Sequence, residues 1–495
     1  MVTFLTTCIC LGIISFILFY FYLTRNFNYW KNQNVPYFKP NPIFGNVFSV
    51  IVQKTSINGY LNFLYKSNSL PYIGFFIFDQ PSVLIRDPAL LKRILVSDFN
   101  YFQDRSIMHN EYDKYTNNML FMAKQPKWKI LRTNLSPAFS SGKLKHMVGL
   151  ILEVGDDMVN YIKAARLNEE SSDCRNISIK YAIDAIATCA FGIRTNSHQN
   201  PEFAIASKKL LEPTPLRAIQ MAAHYFAPSL VKIFHMTFSD QDSCRYLEKV
   251  LLKSMREREN VNTSRRDFMD FMKEMQMKDS HFFSDDVLVG IFLQYLIAGF
   301  ESTGGTIAFT LYELCVNPTI QNRLRNEILT VLAKHETLTY EAIQEMTYLH
   351  MVIKETLRKF PPLPFLDRVC NTTYTIPNTD IAIKEGMPVF ISLTALHYDE
   401  KYFPNPMLFD PERFSPENKS SITPYTYMPF SEGYRNCSGI KFGILSMSIG
   451  IIKILSNFEV ITCKDTPTVI SFETSGFLLT PLSDKINVTF RSLNP

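Results

Sequence analysis

The chain has 495 residues, a formal net charge of +5 and 46% hydrophobic residues, so it is long and apolar enough to bury a large core. A charge this small for the length argues against nucleic acid as a partner. The nine histidines show no HExxH spacing, and the nine cysteines show no zinc-ligand spacing apart from Cys8 and Cys10 in an apolar stretch. This pattern argues against a zinc enzyme or a disulfide framework and favours a reducing compartment.

The first predicted element is the uncharged, strongly apolar segment 2–24. A helix of this length, at about 1.5 Å per residue, spans the bilayer core. The segment has neither the basic start and cleavage site of a signal peptide nor the Arg-rich leader typical of mitochondrial import. Arg25 and Lys31 follow it and no basic residue precedes it. We therefore expect residues 2–24 to be a transmembrane signal anchor in the endoplasmic reticulum membrane, with the rest of the chain cytosolic.

Residues 25–46 contain Pro36, Pro40 and Pro42. Spaced prolines remove backbone donors and keep a chain extended, which predicts a stiff hinge between membrane and globule. No repeat, low-complexity tract or charge block divides the remaining sequence, so residues 47–495 are predicted to form one catalytic domain.

Trp128 and Arg132 are four residues apart in a short helical stretch, and therefore on one face. Taken alone, such a pair is more often a core edge beside a surface charge. Basic residues around the pair form a face that suits an acidic protein partner. They are Lys127, Lys129, Lys143 and Lys145.

The apolar stretch 225–231 suits a second contact with the membrane and burial in the core equally well. The sequence favours neither interpretation over the other.

A long helix is predicted from Asp285, capped by Ser284, to Val316, where an Asn-Pro pair stops it. A helix of about thirty residues should cross the whole core. Residues 298–305 within it read AGFESTGG. Each glycine inside a helix costs up to about 1 kcal/mol, so these glycines indicate either a close approach of a bulky group or a local widening of the helix.

Glu355 and Arg358 are three residues apart in the helical stretch that ends near Phe360, and Pro411-Glu412-Arg413-Phe414 follows later in the chain. A Glu-x-x-Arg pair by itself is common on helix surfaces. Burying one carboxylate with two guanidinium groups requires nearly complete hydrogen bonding.

Residues 430–439, FSEGYRNCSG, lead directly into an apolar helical pattern. Cys437 therefore lies at a helix N-terminus, where free N–H groups and the helix dipole favour a thiolate. Gly433 and Gly439 allow a tight turn and leave room for a flat ligand, and Arg435 is placed to pair with an acidic group of that ligand. These are the requirements of an axial cysteine ligand to haem iron. A buried structural cysteine is the simpler alternative, but five fixed positions in ten residues favour the haem ligand.

This loop is similar to the haem-ligand loop of the cytochrome P-450 family, F-x-x-G-x-R-x-C-x-G, with every fixed position present from Phe430 to Gly439. The segment 298–305 resembles the family's oxygen-binding groove, and the W-x-x-x-R, E-x-x-R and PERF motifs occur in the family's order. The resemblance covers essentially the whole chain and is closest to animal microsomal members, particularly the detoxification-type branch expanded in insects. It implies a mainly α fold with a small β-rich subdomain, further short strands after Pro362, and a single N-terminal transmembrane helix.

The resemblance implies haem b as cofactor, dioxygen as co-substrate, and electrons from NADPH that arrive through NADPH–cytochrome P-450 reductase. Cys437 would be the thiolate ligand of the iron. The side chains that would hold the cofactor with it are Trp128, Arg132, Arg368 and Arg435. Arg105 is a weaker candidate for a propionate contact, because its loop is less regular.

In the family's oxygen-binding groove, an acid and a neighbouring hydroxyl relay the protons that O–O cleavage needs. The acid here would be Glu301. The chain departs from the pattern at the next position, where Ser302 replaces the usual threonine. Ser302 would take over the role of that threonine, and Thr303, the next residue, would hold a water. The resemblance also implies a buried structural triad of Glu355, Arg358 and Arg413.

Four segments are expected to line the pocket above the cofactor: residues 108–121, 295–302, 364–366 and 476–478. Their side chains are mostly Phe, Leu, Met and Ile, which predicts a lipophilic, small to medium-sized substrate. The sequence does not distinguish a terpenoid from a plant toxin, insecticide, fatty acid or hormone. The expected partners are the lipid bilayer, the reductase and a b-type cytochrome.

Three classes of function fit these residues. The first is a monooxygenase that inserts one atom of dioxygen into a lipophilic molecule. The second is a reductase-independent hydroperoxide isomerase or dehydratase on the same fold, to which Ser302 gives some weight. The third is a haem-binding carrier or sensor, against which Glu301 and its neighbouring hydroxyls argue.

Overall fold

The computed structural model of the chain describes residues 2–165, 171–261 and 267–493. Most of these residues are helical. The α-helices, numbered in chain order, are α1 (Val2–Thr24), α2 (Tyr29–Asn32), α3 (Phe48–Ile51), α4 (Ile57–Lys66), α5 (Pro88–Lys92), α6 (Lys127–Leu135), α7 (Ser141–Ala165), α8 (Cys174–Phe191), α9 (Glu202–Lys209), α10 (Pro215–Phe226), α11 (Pro228–Ile233), α12 (Gln241–Val261), α13 (Phe268–Lys278), α14 (Asp285–Val316), α15 (Pro318–Lys334), α16 (Tyr340–Glu345), α17 (Thr347–Lys359), α18 (Leu393–His397) and α19 (Ile440–Leu455).

The strands form small sheets beside the helices. They are β1 (Tyr72–Ile77), β2 (Gln80–Ile85), β3 (Ser172–Asp173), β4 (Phe365–Val369), β5 (Tyr374–Thr375), β6 (Ala382–Ile383), β7 (Pro388–Ser392), β8 (Phe458–Ile461) and β9 (Asn487–Ser492). The four-stranded sheet has the order β1-β2-β7-β4, in which only the β2–β7 pair is parallel. The other sheets are β3-β9-β8 and β5-β6. The predicted mainly α fold with a small β-rich part is confirmed.

Helix α1 exposes its apolar side chains, as a membrane-spanning helix must outside a bilayer. Residues Phe4–Thr24 are long and apolar enough to cross a membrane, and none of their most apolar window is buried. Helix α14 passes the same test of length and composition, but two-thirds of its window (67%) is buried, so it is a core helix. The two helices are apolar for different reasons, because the first exposes its side chains and the second buries most of them in the core.

The segment after α1 docks on the sheet. Trp30 is fully buried, and its indole Nε1 donates to the carbonyl oxygen of Phe75 at 3.3 Å. A Cβ on Gly74 would lie within 2.7 Å of three atoms of the Trp30 side chain, so this glycine is required for the contact. Tyr37 also forms a bridge with Gly74. The part of the predicted hinge from Trp30 onward is therefore held against β1.

Helix α14 has the predicted limits, with Ser284 at its N-cap and Asn317 after its last residue. It packs most extensively on α8. A Cβ on Gly304 would lie 2.7 Å from the Cα of Ile179, and one on Gly299 would lie 3.0 Å from Ile186. These glycines permit close helix packing, and the α-helix is uninterrupted. Of the two possibilities that the sequence left open, α14 shows the close approach of bulky groups, here Ile179 and Ile186 of α8, and not a widening.

The stretch 225–231 is mostly core. Tyr225, Phe226 and Val231 are buried, and only Leu230 among its large apolar residues is exposed. Neighbouring residues on α10, and those at and just after the end of α11, include exposed apolar side chains. The side chains that they expose are Leu216, Ile219, Ile233 and Phe234.

Candidate active site

The Cys437 loop folds as a tight turn before α19. The N–H of Cys437 donates to the carbonyl oxygen of Phe430 at 2.9 Å, which closes the loop. Gly433 has φ +75°, and a Cβ there would collide with the carbonyl oxygen of Leu95, so glycine is required at this position. On the other side of the loop, the hydroxyl of Tyr295 donates to Ser438 Oγ at 3.3 Å and connects the loop to α14.

The Cys437 side chain has accessible surface, and it lies on the wall of a large cavity beside α14. Burial by the atoms packed around it raises the pKa of the Cys437 thiol, while the N–H of Gly439 and the charges of Arg132 and Arg105 lower it. Burial is the largest of these effects. A metal bond deprotonates a coordinating thiol outright.

Arg435 connects the Cys437 loop to α6. Its guanidinium carbon lies 4.3 Å from the ring centre of Trp128, a cation–π contact. Its Nη2 donates to Asp104 Oδ1 and to the carbonyl oxygen of Ala123, both at 3.0 Å. Burial and the nearby Arg105 lower the pKa of Arg435 to about 9. From α6, Arg132 Nη2 donates to Asn436 Oδ1 of the same loop.

A second group of charges lies where β4 faces the loop after α5. Arg105 Nη1 forms an ion pair with Asp367 Oδ1 at 3.0 Å, and both side chains are almost completely buried. Arg368 is fully buried, and its Nε and Nη2 have no hydrogen-bond partner among the described residues. Burial and the charge of Arg105 lower the pKa of Arg368 to about 9. Lys124 is held by the carbonyl oxygens of Arg105 and Ile107.

These groups fit the carboxylates of a haem. Basic side chains outnumber the two carboxylates, Asp104 and Asp367, at this end of the cavity, and buried positive charge needs anionic partners. Arg368 keeps two unused donors, and the indole N–H of Trp128 donates no hydrogen bond in the part of the chain that the structure describes. Propionate groups would accept these donors.

Not all of the predicted haem-binding residues lie on the cavity wall. Trp128, Arg132, Arg435 and Cys437 all line the cavity. Arg105, the weaker candidate in the sequence, also lines it, whereas Arg368 is not on its wall and is buried next to Arg105.

The two hydroxyls that follow Glu301 face different surroundings. Ser302 Oγ donates to the carbonyl oxygen of Ala298 at 2.6 Å, and both residues line the cavity. Thr303 is buried, is not on the cavity wall, and its Oγ1 has no partner among the described residues. Ser302 is therefore the hydroxyl that a molecule in the cavity can reach.

Glu301 belongs to a chain of ion pairs that the sequence analysis missed. Its carboxylate pairs with Arg175 Nη2, and Arg175 Nε bonds to Asp484 Oδ1 at 2.6 Å. Arg175 is buried, whereas the Asp484 side chain is 43% exposed, so the chain runs from the cavity to the surface. Asp484 also pairs with Lys208 at 3.2 Å. No sequence signal identifies Arg175, because its partners come from α14 and from the C-terminal segment.

The rest of the cavity wall is largely apolar and comes from the four predicted segments and from several others, which include Leu357, Leu363 and Met447. The residues of the predicted segments on the wall include Met119, Leu120, Phe121, Ile297, Ala298, Leu366, Phe477 and Leu478. The sequence analysis missed Leu211, Phe238 and Ser239, which follow α9 and α11, and Gln294, one position before a predicted segment. Residues in connections carry no periodic signal, which is why the first three were not predicted.

The Glu-x-x-Arg pair is fully buried beneath the cavity. Arg358 donates to both carboxylate oxygens of Glu355, at 2.7 and 2.8 Å, and to the carbonyl oxygens of His397 and Pro406. Arg413 lies 3.5 Å from Glu355 Oε1, as an ion pair without hydrogen-bond geometry. The three side chains thus meet as the resemblance implied, with Arg413 the more loosely held.

Comparison with known proteins agrees with this architecture. The family model described as Cytochrome P450 matches residues 35–488. Cytochrome P450 6k1 of Blattella germanica is 40% identical, over 95% of this chain and 94% of its own length. Cytochrome P450 6j1 of the same insect is 38% identical over 98% and 96%. Probable cytochrome P450 6g2 of Drosophila melanogaster is 35% identical over 90% and 91%.

These relatives are all insect proteins of one numbered group, which confirms the insect detoxification-type branch. Family membership carries with it haem with a cysteine thiolate ligand, dioxygen as co-substrate, and NADPH-derived electrons delivered by a reductase. The chain belongs to the cytochrome P450 family and is a haem-thiolate monooxygenase.

Proposed function

We propose that the protein inserts one atom of dioxygen into a lipophilic small molecule on the cytosolic face of the endoplasmic reticulum, using electrons from NADPH–cytochrome P-450 reductase. The observation that carries this proposal is the composition of one cavity. One end of it presents the Cys437 loop and the arginine cluster, and the remainder is lined mostly by Phe, Leu, Ile and Met. A cavity of this kind takes an apolar molecule next to a charged, flat cofactor.

We propose Cys437 as the iron ligand. Trp128, Arg132 and Arg435 would bind the propionates from the cavity wall, with Arg105 beside them. Arg368 would act through its two unused donors behind that wall. When bound, a thiolate-ligated haem supplies the activation of dioxygen.

Glu301 and Ser302 are proposed to move protons at the cavity wall. Ser302 Oγ is close enough to Ala298 to use that carbonyl as its resting acceptor, and it can release this bond to donate elsewhere. Glu301, held by Arg175 as a carboxylate, lies next to it and can pass a proton to this hydroxyl after accepting one from solvent. Thr303 is proposed as a supporting residue rather than the donor, because its hydroxyl lies away from the cavity.

Residues 2–24 are proposed as the membrane anchor, residues 25–46 as the connection to the globule, and residues 47–495 as the catalytic domain. The exposed apolar side chains of α10 and of the turn after α11, which include Leu216 (67% exposed) and Phe234 (65%), support a second contact with the bilayer. This contact would hold the cavity near the membrane, from which a lipophilic substrate can enter.

A reductase, with a b-type cytochrome as a second donor, is proposed to dock on the face of α6 and the start of α7. Lys129 is exposed there, whereas Lys143 is half-buried, with its Nζ 4.3 Å from the centre of the Phe271 ring. Lys145 is exposed but pairs with Glu341 at 2.5 Å, and Lys127 turns inward to Asn118 at 2.6 Å. The basic face is therefore smaller than the sequence predicted.

The full-length protein, loaded with haem and reconstituted with reductase in phospholipid vesicles, should consume NADPH and convert lipophilic compounds in the presence of ¹⁸O₂. We expect the product to contain one ¹⁸O atom, as determined by mass spectrometry. Turnover of an organic hydroperoxide without reductase, together with no NADPH-dependent product from a broad lipophile panel, would instead establish the isomerase alternative. The proposed monooxygenase reaction would then be wrong for this chain.

A further inference from the structure

Two polar side chains on the apolar part of the cavity wall keep hydrogen-bonding atoms that no protein group among the described residues uses. They are Gln294 on α14 and Ser239 just before α12. Because the surrounding wall is made of Phe, Leu and Ile, each of these atoms is a rare polar point in an otherwise apolar surface.

The orientation of Gln294 follows from its single hydrogen bond. The backbone N–H of Phe121 donates to Gln294 Oε1 at 2.7 Å. Since an N–H needs an acceptor, this contact assigns the oxygen to that side of the amide and leaves the NH₂ group on the other. No hydrogen bond from Nε2 is found within residues 2–165, 171–261 and 267–493. Gln294 therefore offers two N–H donors to the cavity that it lines.

The backbone around Gln294 is held in place. One turn earlier on α14, a Cβ on Gly290 would collide with Asn118, so the glycine lets the loop before Phe121 lie directly on the helix. The Phe121 ring in turn lies 4.1 Å from the Arg105 guanidinium. The packed loop thus fixes the Oε1 atom of the Gln294 amide, and this orients the NH₂ group of the same amide before a ligand binds.

Ser239 is completely buried, and its hydroxyl has no partner among the described residues. It lies on the cavity wall next to Phe238, whose ring contacts Phe477 with centres 5.6 Å apart. The adjacent Gln241 side chain bonds the carbonyl oxygen of Ser239 and leaves the hydroxyl unused. A buried hydroxyl without a partner is unfavourable until a ligand supplies one.

We propose that Gln294 and Ser239 determine specificity, and that the substrate is a lipophile that carries an oxygen able to accept a hydrogen bond, as in a ketone, ester, ether or alcohol. This inference rests on the proposed function and names its substrate class. Gln294 is about 6 Å along the helix axis from Ala298 and about 12 Å from Ser302. The substrate oxygen would therefore be held several ångströms away from the carbon that is oxidised. A plain hydrocarbon leaves both polar groups unpaired and is selected against.

Three ligands with one carbon skeleton test the inference: p-menthane, menthone and menthol. They carry no oxygen, an acceptor only, and both a donor and an acceptor, respectively. Dissociation constants are measured by spectral titration of the haem in the full-length holoenzyme. We expect menthone and menthol to bind about 3- to 10-fold more tightly than p-menthane.

Single variants test the contributions of Gln294 and Ser239 to ligand preference separately. Gln294→Leu should abolish the preference for menthone over p-menthane, and Ser239→Ala should reduce the preference for menthol. The double variant should bind all three ligands equally. Ile297→Val, on the same wall, changes cavity volume without a hydrogen bond and should shift all three affinities together. If Gln294→Leu loads no haem, Gln294→Glu at mildly alkaline pH keeps an acceptor for the Phe121 N–H and removes the donors.

Equal binding of the three ligands by the unmodified protein overturns the inference and leaves the proposed function intact. So does a preference for menthone and menthol that persists in the double variant. If neither these ligands nor a broader lipophile panel perturbs a haem whose thiolate spectrum is normal, the lipophile-binding function itself is wrong, and the inference fails with it.

Discussion

Arg435 lies with its guanidinium carbon 4.3 Å from the centre of the Trp128 ring, although the two residues are far apart in the chain. The contact joins the loop that presents Cys437 to helix α6, which presents Arg132. A desolvated cation–π contact is worth about 2 kcal/mol, and the hydrogen bonds of Arg435 to Asp104 and Ala123 add to it. The proposed iron ligand and the proposed propionate partners are thereby held as one unit.

Replacing Cys437 tests the ligand assignment. Cys437→Ala or Cys437→His should abolish the carbon monoxide difference spectrum that is characteristic of thiolate-ligated haem, because no other cysteine of the described residues lies on the cavity wall. The measurement is a reduced carbon monoxide spectrum on purified full-length protein. Cys463→Ser is the matched control, since Cys463 lies outside the cavity, and it should retain the spectrum. Persistence of the thiolate spectrum in the Cys437 variants would contradict the assignment.

Ser302→Ala tests proton delivery. We expect haem binding and reduction to be retained while product formation falls by roughly 10²-fold or more, with NADPH diverted to hydrogen peroxide. The reason is that Ser302 carries the hydroxyl on the cavity wall. Thr303→Ala is the control and should cause little uncoupling, since Thr303 Oγ1 lies off that wall. If Thr303→Ala uncouples the enzyme and Ser302→Ala does not, the working hydroxyl is the second one.

Arg175→Gln tests the chain of ion pairs behind Glu301. The burial of Arg175 lowers its pKa, but Glu301 and Asp484 outweigh this effect and raise it, so the guanidinium is charged throughout the working pH range. Without that charge Glu301 loses its partner, and we expect slower, less coupled turnover and an altered solvent deuterium isotope effect. Steady-state rates in H₂O and D₂O provide the measurement. Lys208→Gln, at the exposed end of the chain of ion pairs, should change neither the turnover rate nor the isotope effect. An unchanged isotope effect in Arg175→Gln would contradict the proposed role of Arg175 in proton delivery.

Glu355→Ala should prevent folding or haem loading. It leaves the fully buried guanidinium of Arg358 without its carboxylate, and breaking such a pair costs about 3–5 kcal/mol. Expression yield, haem content and thermal unfolding are the measurements. Lys334→Ala removes one partner of an exposed ion pair, with Glu345, and should change none of them. A soluble Glu355→Ala protein with unchanged unfolding temperature would show that the pair is not structural.

His397 should make the protein sensitive to acid. Burial is the main cause that lowers the pKa of His397 from 6.5 to about 3; the hydrogen bond of Nδ1 with the carbonyl oxygen of Arg358 opposes it, and the charge of Arg358 adds to it. Nε2 accepts from the N–H of Met428. Below about pH 6.5, therefore, the His397 imidazole binds a proton in the unfolded chain but not in the folded chain. The stabilising contribution is complete above that pH and decreases as the pH falls, by up to about 1.4 kcal/mol per pH unit. The free energy of unfolding, measured from about pH 7 to about pH 5, should depend less on pH in His397→Gln than in the unmodified protein.

The local elements were predictable because their signals are local. Helix α14 begins after Ser284 and ends before Asn317 as predicted, since an N-cap residue and an Asn-Pro pair act on neighbouring backbone groups. The Cys437 loop and α6 were predicted for the same reason, the first by its fixed spacing and the second by helical periodicity. The membrane helix followed from the length and apolarity of residues 2–24 alone.

Tertiary structure decided which side chains meet. The sequence left open whether Gly299 and Gly304 permit the approach of a bulky group or a widening of α14. A glycine gives no indication of what approaches it, and only the structure shows that these two permit the packing of α14 on α8. Arg175 and Gln294 acquire their roles from Asp484 and Phe121, which are distant in the chain. The sequence by itself determined the family, the cysteine loop and the order of elements. Which polar groups remain unpaired inside the cavity depends on contacts between separate segments, and only the folded chain shows them.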